Sequence, residues 1–233
     1  METIGLIGGM SWESTAEYYR LINLETQRRR GGHHSARLVL WSVDFAEIEE
    51  MQAAGRWDDA GALLAETARR LEWAGAGVLG LCTNTMHKVA DVVAAAVEVP
   101  LVHLGDVTAR AVRDAGLSTV GLLGTAFTME QPFYRRHLES HGLTVLVPDD
   151  ADRAEVHRVI YEELVHGVVD DGSRHRYREV IERFVDAGAE GVIFGCTEIE
   201  LLVGADDSSV AVFPTTHLHA SALVDAALAD GST

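Results

Sequence analysis

Short apolar runs alternate along the chain with stretches in which apolar residues recur every three or four positions. That alternation predicts parallel β-strands separated by amphipathic helices, the pattern of an α/β fold. Ile4–Gly8 predicts a first strand and Ser14–Arg30 a helix whose last turn, Arg28-Arg29-Arg30, runs into a Gly31-Gly32 stop. Leu38–Val43 predicts a second strand, Trp57–Trp73 a helix, Val78–Leu81 a third strand, Met86–Val97 a helix, and Leu101–Leu104 a short fourth strand.

The second half repeats this order. Thr119–Gly124 answers Thr3–Gly8, Thr125–Glu130 answers Gly9–Ser14, and Phe133-Tyr134-Arg135 echoes Tyr18-Tyr19-Arg20. Val145 marks a short strand, Arg153–Val169 and Ser173–Ala187 predict helices, and Gly191–Phe194 and Val210–Phe213 predict strands. An internal duplication is the economical explanation. It predicts two similar, pseudo-symmetric lobes, each a short parallel sheet flanked by helices. The first spans residues 1–116, with a C-terminal helix over 216–233 packing back on it, and the second spans 117–215.

The only two cysteines end matching strand runs, in Gly80-Leu81-Cys82-Thr83-Asn84 and Gly195-Cys196-Thr197-Glu198. The duplication predicts that they occupy equivalent positions. A thiol past the C-terminal end of a strand and before a helix start meets backbone N–H groups and a helix dipole that favour thiolate. Open parallel sheets bind ligands beyond those strand ends, and clefts between domains are favoured small-molecule sites. The expected active site is therefore an interdomain cleft flanked by two acid/base thiols. The alternative is a pair of inert buried cysteines.

Composition narrows the field. With 47% hydrophobic and 24% charged residues the chain is globular rather than disordered. Its 36 acidic against 19 basic residues, a formal charge of −17, repel nucleic acid and anionic membranes, so neither is expected as a partner. No apolar run reaches the roughly 20 residues of a membrane span, and Met1-Glu2-Thr3-Ile4-Gly5 carries no basic leader, which predicts a soluble, cytoplasmic protein. The chain has no Cys-x-x-Cys pair, and neither cysteine has histidines at ligand spacing, so no metal is expected.

The loop Gly8-Gly9-Met10-Ser11-Trp12 offers N–H groups to an anion. Neither a Gly-x-Gly-x-x-Gly fingerprint nor a Gly-Lys-Ser/Thr phosphate loop is present, which argues against a nucleotide enzyme. Gly124-Thr125-Ala126-Phe127-Thr128 adds hydroxyls, and neutral donors of this kind suit a carboxylate. His33, His34, His137, His141 and His175 lie in polar stretches and read as solvated, whereas Trp12, Trp41, Trp57 and Trp73 read as core or lobe-interface residues.

Several blocks in order resemble the aspartate/glutamate racemase family, the cofactor-independent amino-acid racemases, over essentially the whole chain. They are Gly8–Trp12, Asp44-Phe45 with Gln52, Cys82–Lys88, Gly124-Thr125 with Thr128-Met129, Gly195–Ile199, and Thr215-Thr216 with His219-Ala220. The resemblance implies a PLP-independent isomerase, without any cofactor, that acts on a small-molecule amino acid and forms a homodimer. It implies a two-base mechanism in which Cys82 and Cys196 are the catalytic pair, one removing the α-proton and the other protonating the opposite face. It assigns the substrate carboxylate to Met10, Ser11, Gln52, Thr83, Asn84, Thr85, Thr125 and Thr197, and places Glu198 and His219 behind the thiols. Asn84 and the threonines equally suit helix caps.

The chain departs from the family in two places. Many relatives carry an acid where Phe213-Pro214-Thr215-Thr216 has proline, and aspartate-specific relatives carry a lysine near Leu164-Val165-His166-Gly167, whereas the only lysine here is Lys88. Aspartate or glutamate is the family-default substrate. A neutral amino acid is the alternative unless Arg37, Arg56 or Arg158 supplies the missing cation. Two other functions fit the same blocks: an enolate-forming lyase or isomerase acting on a small diacid, and a non-catalytic binding protein for a small carboxylate.

Overall fold

The structure is a computed structural model and describes residues 1–229. In chain order the elements are β1 (Ile4–Gly8), α1 (Trp12–Arg30), β2 (Leu38–Ser42), α2 (Phe45–Ala53), α3 (Trp57–Trp73), β3 (Val78–Leu81), α4 (Ala90–Ala94) and α5 (Leu104–Asp114). They continue with β4 (Thr119–Leu123), α6 (Ala126–Glu130), α7 (Pro132–Ser140), β5 (Thr144–Leu146), α8 (Asp150–Glu162), α9 (Asp171–Asp186), β6 (Gly191–Phe194), α10 (Ile199–Leu202), β7 (Ala211–Pro214) and α11 (Thr215–Ala229). The chain divides into two compact units, Met1–Leu104 with the segment from His219, and Gly105–Leu218.

Each unit holds one parallel sheet, ordered β2-β1-β3 in the first and β5-β4-β6-β7 in the second. The strands β1, β3, β4 and β6 are apolar and buried over almost every residue, as expected for parallel strands covered on both faces. Leu101–Leu104, expected to be a strand, contributes only a parallel bridge from Leu101 to Leu79 before α5 begins at Leu104. That bridge stands where β7 stands in the second sheet, so the strand order does repeat.

In the first unit α11 packs on the sheet from His219 onward. Ala220, Leu223, Val224 and Ala227 share a core with Ile4 and Leu6, and Glu2 N–H donates to Ala227 O at 2.8 Å. A Cβ on Gly80 of β3 would lie 2.7 Å from Leu223 Cδ1, so glycine there sets how closely helix and strand approach. The opposite face packs α3 through Leu64, Ala68 and Leu71 against Ile7, Leu79 and Leu81. In the second unit α8 supplies Val156, Val159 and Ile160, and α9 supplies Tyr177, Val180, Ile181 and Phe184, to a core with Leu123, Val192 and Phe194.

The helices α2 and α5 escaped the sequence reading. In α2 only Ile48 is fully buried, so no apolar period marks it. The helix expected over Met86–Val97 is instead a 3-10 turn, Thr85–Val89, followed by the short α4. His87 is the cause: its N–H closes onto Asn84 O at 3.1 Å and its ring onto Thr83 O, which tightens that turn. The helix expected over Arg153–Val169 ends at Glu162 and gives way to a 3-10 turn, Leu164–His166, capped by Gly167 at φ 72°.

Trp12, Trp41 and Trp73 are exposed rather than core residues, whereas Trp57, partly buried, does pack against the core of the first unit. Trp73 is 91% and Trp12 69% exposed. Trp41 carries Arg70 over its ring at 4.8 Å, and Trp57 carries Lys88 Nζ at 3.7 Å, so a cation covers a face of each ring. The Arg28-Arg29-Arg30 run is the last turn of α1, which Gly31 caps by donating to Gln27 O. Within it Arg29 also donates to Ser221 of α11 at 2.9 Å.

Candidate active site

In the first unit three segments meet beyond the strand ends: the β1–α1 loop, α2, and the turn after β3. Gly9 sits at φ 92°, and a Cβ there would lie 2.2 Å from Val43 O, so only glycine lets the loop pass the end of β2. Ser11 caps α1 by accepting from Ser14 N–H at 3.2 Å, and Thr15 Oγ1 donates to Ser11 O and accepts from Gly9 N–H. The Met10 side chain packs into the apolar core beside Met86 and Ile48. Gln52 is half-buried on α2 and donates Nε2 to Met86 Sδ at 3.0 Å, tying α2 to the turn after β3.

Cys82 follows β3 directly. Its N–H extends the ladder to Ile7 O at 2.9 Å, and its side chain is buried in the core formed with Leu6, Tyr18 and Ala220. Burial pushes its thiol pKa up. Thr83, Asn84 and Thr85 follow, all partly exposed. Asn84 makes no side-chain cap, so the capping role expected for it is not the one it plays.

Two histidines brace this turn as neutral scaffolding. His87 Nε2 accepts from Leu104 N–H at 3.1 Å, so the ring proton sits on Nδ1, which donates to Thr83 O at 2.7 Å. His219, fully buried on α11, faces Val102 O with Nε2 and Tyr18 Oη with Nδ1, each at 2.8 Å. A carbonyl only accepts, so Nε2 carries the proton and Nδ1 takes the tyrosine's. Desolvation holds the His219 pKa down at about 4. With both nitrogens committed, it fixes α11 and the Val102 segment in place and is not a base for a thiol.

In the second unit the β4–α6 loop and the turn after β6 lie side by side. Thr125 caps α6 by accepting from Thr128 N–H at 3.4 Å. A Cβ on Gly124 would stand 3.5 Å from Gly195 O. Cys196 is partly buried, and its Sγ donates to Glu198 Oε2 at 2.8 Å. Burial of the sulfur, then the Glu198 charge, holds this thiol's pKa well above its ordinary value. Thr197 Oγ1 lies 3.3 Å from Thr216 Oγ1 at the start of α11, and Thr215 Oγ1 donates to Phe194 O.

The two thiols are not equivalent. Gly195, rather than Cys196, extends the second ladder, donating to Leu123 O at 2.7 Å. Leu123 pairs with Phe194 as Ile7 pairs with Leu81. Cys82 therefore matches Gly195, and Cys196 stands one residue further along. Side chains alternate along a strand, so this offset gives the thiols different surroundings. Cys82 faces the α11 core, whereas Cys196 faces a carboxylate.

Sequence reasoning missed His157 on α8, whose Nδ1 accepts from Ala126 N–H at 3.2 Å and so fixes the Thr125 loop. It also missed Tyr177 on α9, buried with its hydroxyl on Val156 O at 2.9 Å. Both lie on ordinary amphipathic helices, where no local pattern sets them apart.

A model of the Asp/Glu/Hydantoin racemase family matches residues 7–223. The chain belongs to this family. Among solved structures, the chain is 55% identical to a candidate Asp/Glu racemase from Yersinia pestis, covering 98% of this chain and 100% of that one with a TM-score of 0.94. It is 36% identical to an aspartate racemase homologue from Pyrococcus horikoshii OT3, over 97% and 99% of the two chains, with a TM-score of 0.88. The aspartate racemase of Picrophilus torridus, 18% identical, shares the fold over 97% of this chain and 94% of its own, with a TM-score of 0.76. The two parallel sheets flanked by helices are the racemase fold. Among the described residues no helix is long and apolar enough to cross a membrane.

Proposed function

We propose that this racemase-family protein interconverts the L- and D-forms of a free amino acid by two-base proton transfer, with Cys82 and Cys196 as the bases and no cofactor. The observation that carries the reading is a thiol just past the end of β3 in one sheet and just past β6 in the other. Inversion through a planar carbanion needs a base on one face and an acid on the other, exchanging roles in the reverse direction. One thiolate takes the α-proton as the other thiol delivers its own, so the reaction conserves protons and leaves the two sulfurs in exchanged states.

The carbanion needs donors held at the substrate carboxylate. The candidates are the main chain at Met10 and Ser11, Gln52, the Thr83-Asn84-Thr85 run, Thr125 and Thr197, which hold a carboxylate without neutralising an adjacent thiolate. Glu198 takes the Cys196 proton when Cys196 must act as base. His219 holds the helix beside Cys82 and moves no proton.

Family membership points to aspartate or glutamate as substrate. A neutral amino acid is the second reading, favoured by the engagement of two cations that the sequence offered for a side-chain carboxylate. Arg56 pairs with Glu50 at 2.8 Å, and Arg158 pairs with Glu155 and Glu163 at 2.9 and 2.8 Å. Proton NMR in D₂O on a panel of L- and D-amino acids tests both. Loss of the α-proton signal with inversion, confined to certain amino acids, supports the reading and names the substrate. No exchange from folded, reduced protein overturns it in favour of a diacid lyase or a binding protein.

A further inference from the structure

His137 on α7 and His141, the residue that caps α7, stand four positions apart and so share a helix face. Both aim Nε2 at one oxygen of Asp106 on α5, at 2.6 and 2.9 Å, and their rings lie 5.3 Å apart at 49°. We propose that Asp106, His137 and His141 form a binding site for a divalent transition metal of the zinc class within the Gly105–Leu218 unit.

The donor set is that of such a site: two imidazole nitrogens i to i+4 on a helix, completed by a carboxylate from a second helix. Donors bound at roughly 2.0–2.2 Å to one ion lie about 2.8–3.5 Å from each other, so the two nitrogen–oxygen separations need only small adjustment.

A solvent-open depression of about 460 Å³, lined by Asp106, His141, Arg110, Arg113 and Asp114, leaves room for coordinated water. Its two guanidiniums against Asp114 disfavour an ion held by charge alone. Affinity must then come from imidazole, which selects zinc, nickel or cobalt over magnesium or calcium.

Titration calorimetry with Zn²⁺ on the full chain, with Mg²⁺ alongside, tests the site. Because thiols also bind zinc, a Cys82→Ser/Cys196→Ser double variant runs in parallel. The expected result is one saturable zinc site in the wild type and in the double cysteine variant, lost in His137→Ala and in His141→Ala, with no heat from Mg²⁺. Zinc then raises the melting temperature of the wild type but not of the histidine variants, whose α-proton exchange stays at the wild-type rate. If the histidine variants fail to fold, the near-isosteric Asp106→Asn reads the same loss. Absent saturable binding, binding unchanged without either histidine, or binding lost only with the cysteines overturns the proposal.

Discussion

Cys196 Sγ lies 2.8 Å from Glu198 Oε2, whereas Cys82, one ladder position out of register with it, is enclosed by apolar side chains. A carboxylate two residues along the chain gives one thiol a proton acceptor in its own turn. The other thiol lies against α11, whose nearest histidine, His219, has both nitrogens committed to scaffolding.

Glu198→Gln keeps the shape and removes the acceptor. We expect kcat/KM to fall about 10²-fold, and by the same factor in both directions, because enantiomers have equal free energy. The Glu198 charge raises the Cys196 pKa, so its loss moves the alkaline limb of the pH–rate profile to lower pH. An unmoved limb would reduce Glu198 to a packing role.

Each single cysteine variant should abolish racemisation but leave half of the chemistry. Cys196→Ser retains Cys82 as base for one enantiomer, and Cys82→Ser retains Cys196 for the other. Solvent deuterium then enters a different enantiomer in each variant. Full racemase activity in either variant would sink the two-base reading.

His219 predicts a pH dependence of stability. Its pKa falls from 6.5 in the unfolded chain to about 4 when buried. Between those values the unfolded state takes a proton that the folded state refuses. Stability from this residue is therefore whole above pH 6.5, lost progressively as pH falls towards 4, and unchanged below that. The shift corresponds to about 3 kcal/mol. Chemical denaturation from pH 7 to pH 4 should show that loss in the wild type, and His219→Gln should flatten it.

Gly80 and Leu223 should behave as a coupled pair. Leu223→Ala empties a fully buried site and costs about 2–5 kcal/mol. Gly80→Ala drives a methyl into Leu223 and costs about 1–3 kcal/mol. In the double variant the added methyl faces the vacated space, so the two costs sum to more than the measured loss. Strict additivity in urea unfolding would show that helix and strand are not held by this contact.

Along the chain itself one reads the α/β alternation, the repeat of one strand–loop–helix plan, the two cysteines past matching strands and the family blocks around them. These are legible because a buried parallel strand must be apolar over four or five residues, and because a loop that turns on itself needs glycine, as at Gly9. Tertiary structure alone decided the register. A one-residue offset between Cys82 and Cys196 is invisible until the ladder shows which N–H reaches Ile7 O and which reaches Leu123 O. Protonation is decided there too. His219 reads as candidate chemistry along the chain, but Val102 O and Tyr18 Oη, distant in sequence, fix its tautomer and keep it neutral. His137 and His141 read as solvated for the same reason: Asp106, the residue they share, lies about thirty positions away and is brought to them only by the packing of α5 and α7. Local pattern fixes where a side chain sits along an element, whereas its partners, and with them its charge, come from contacts made only when the elements pack.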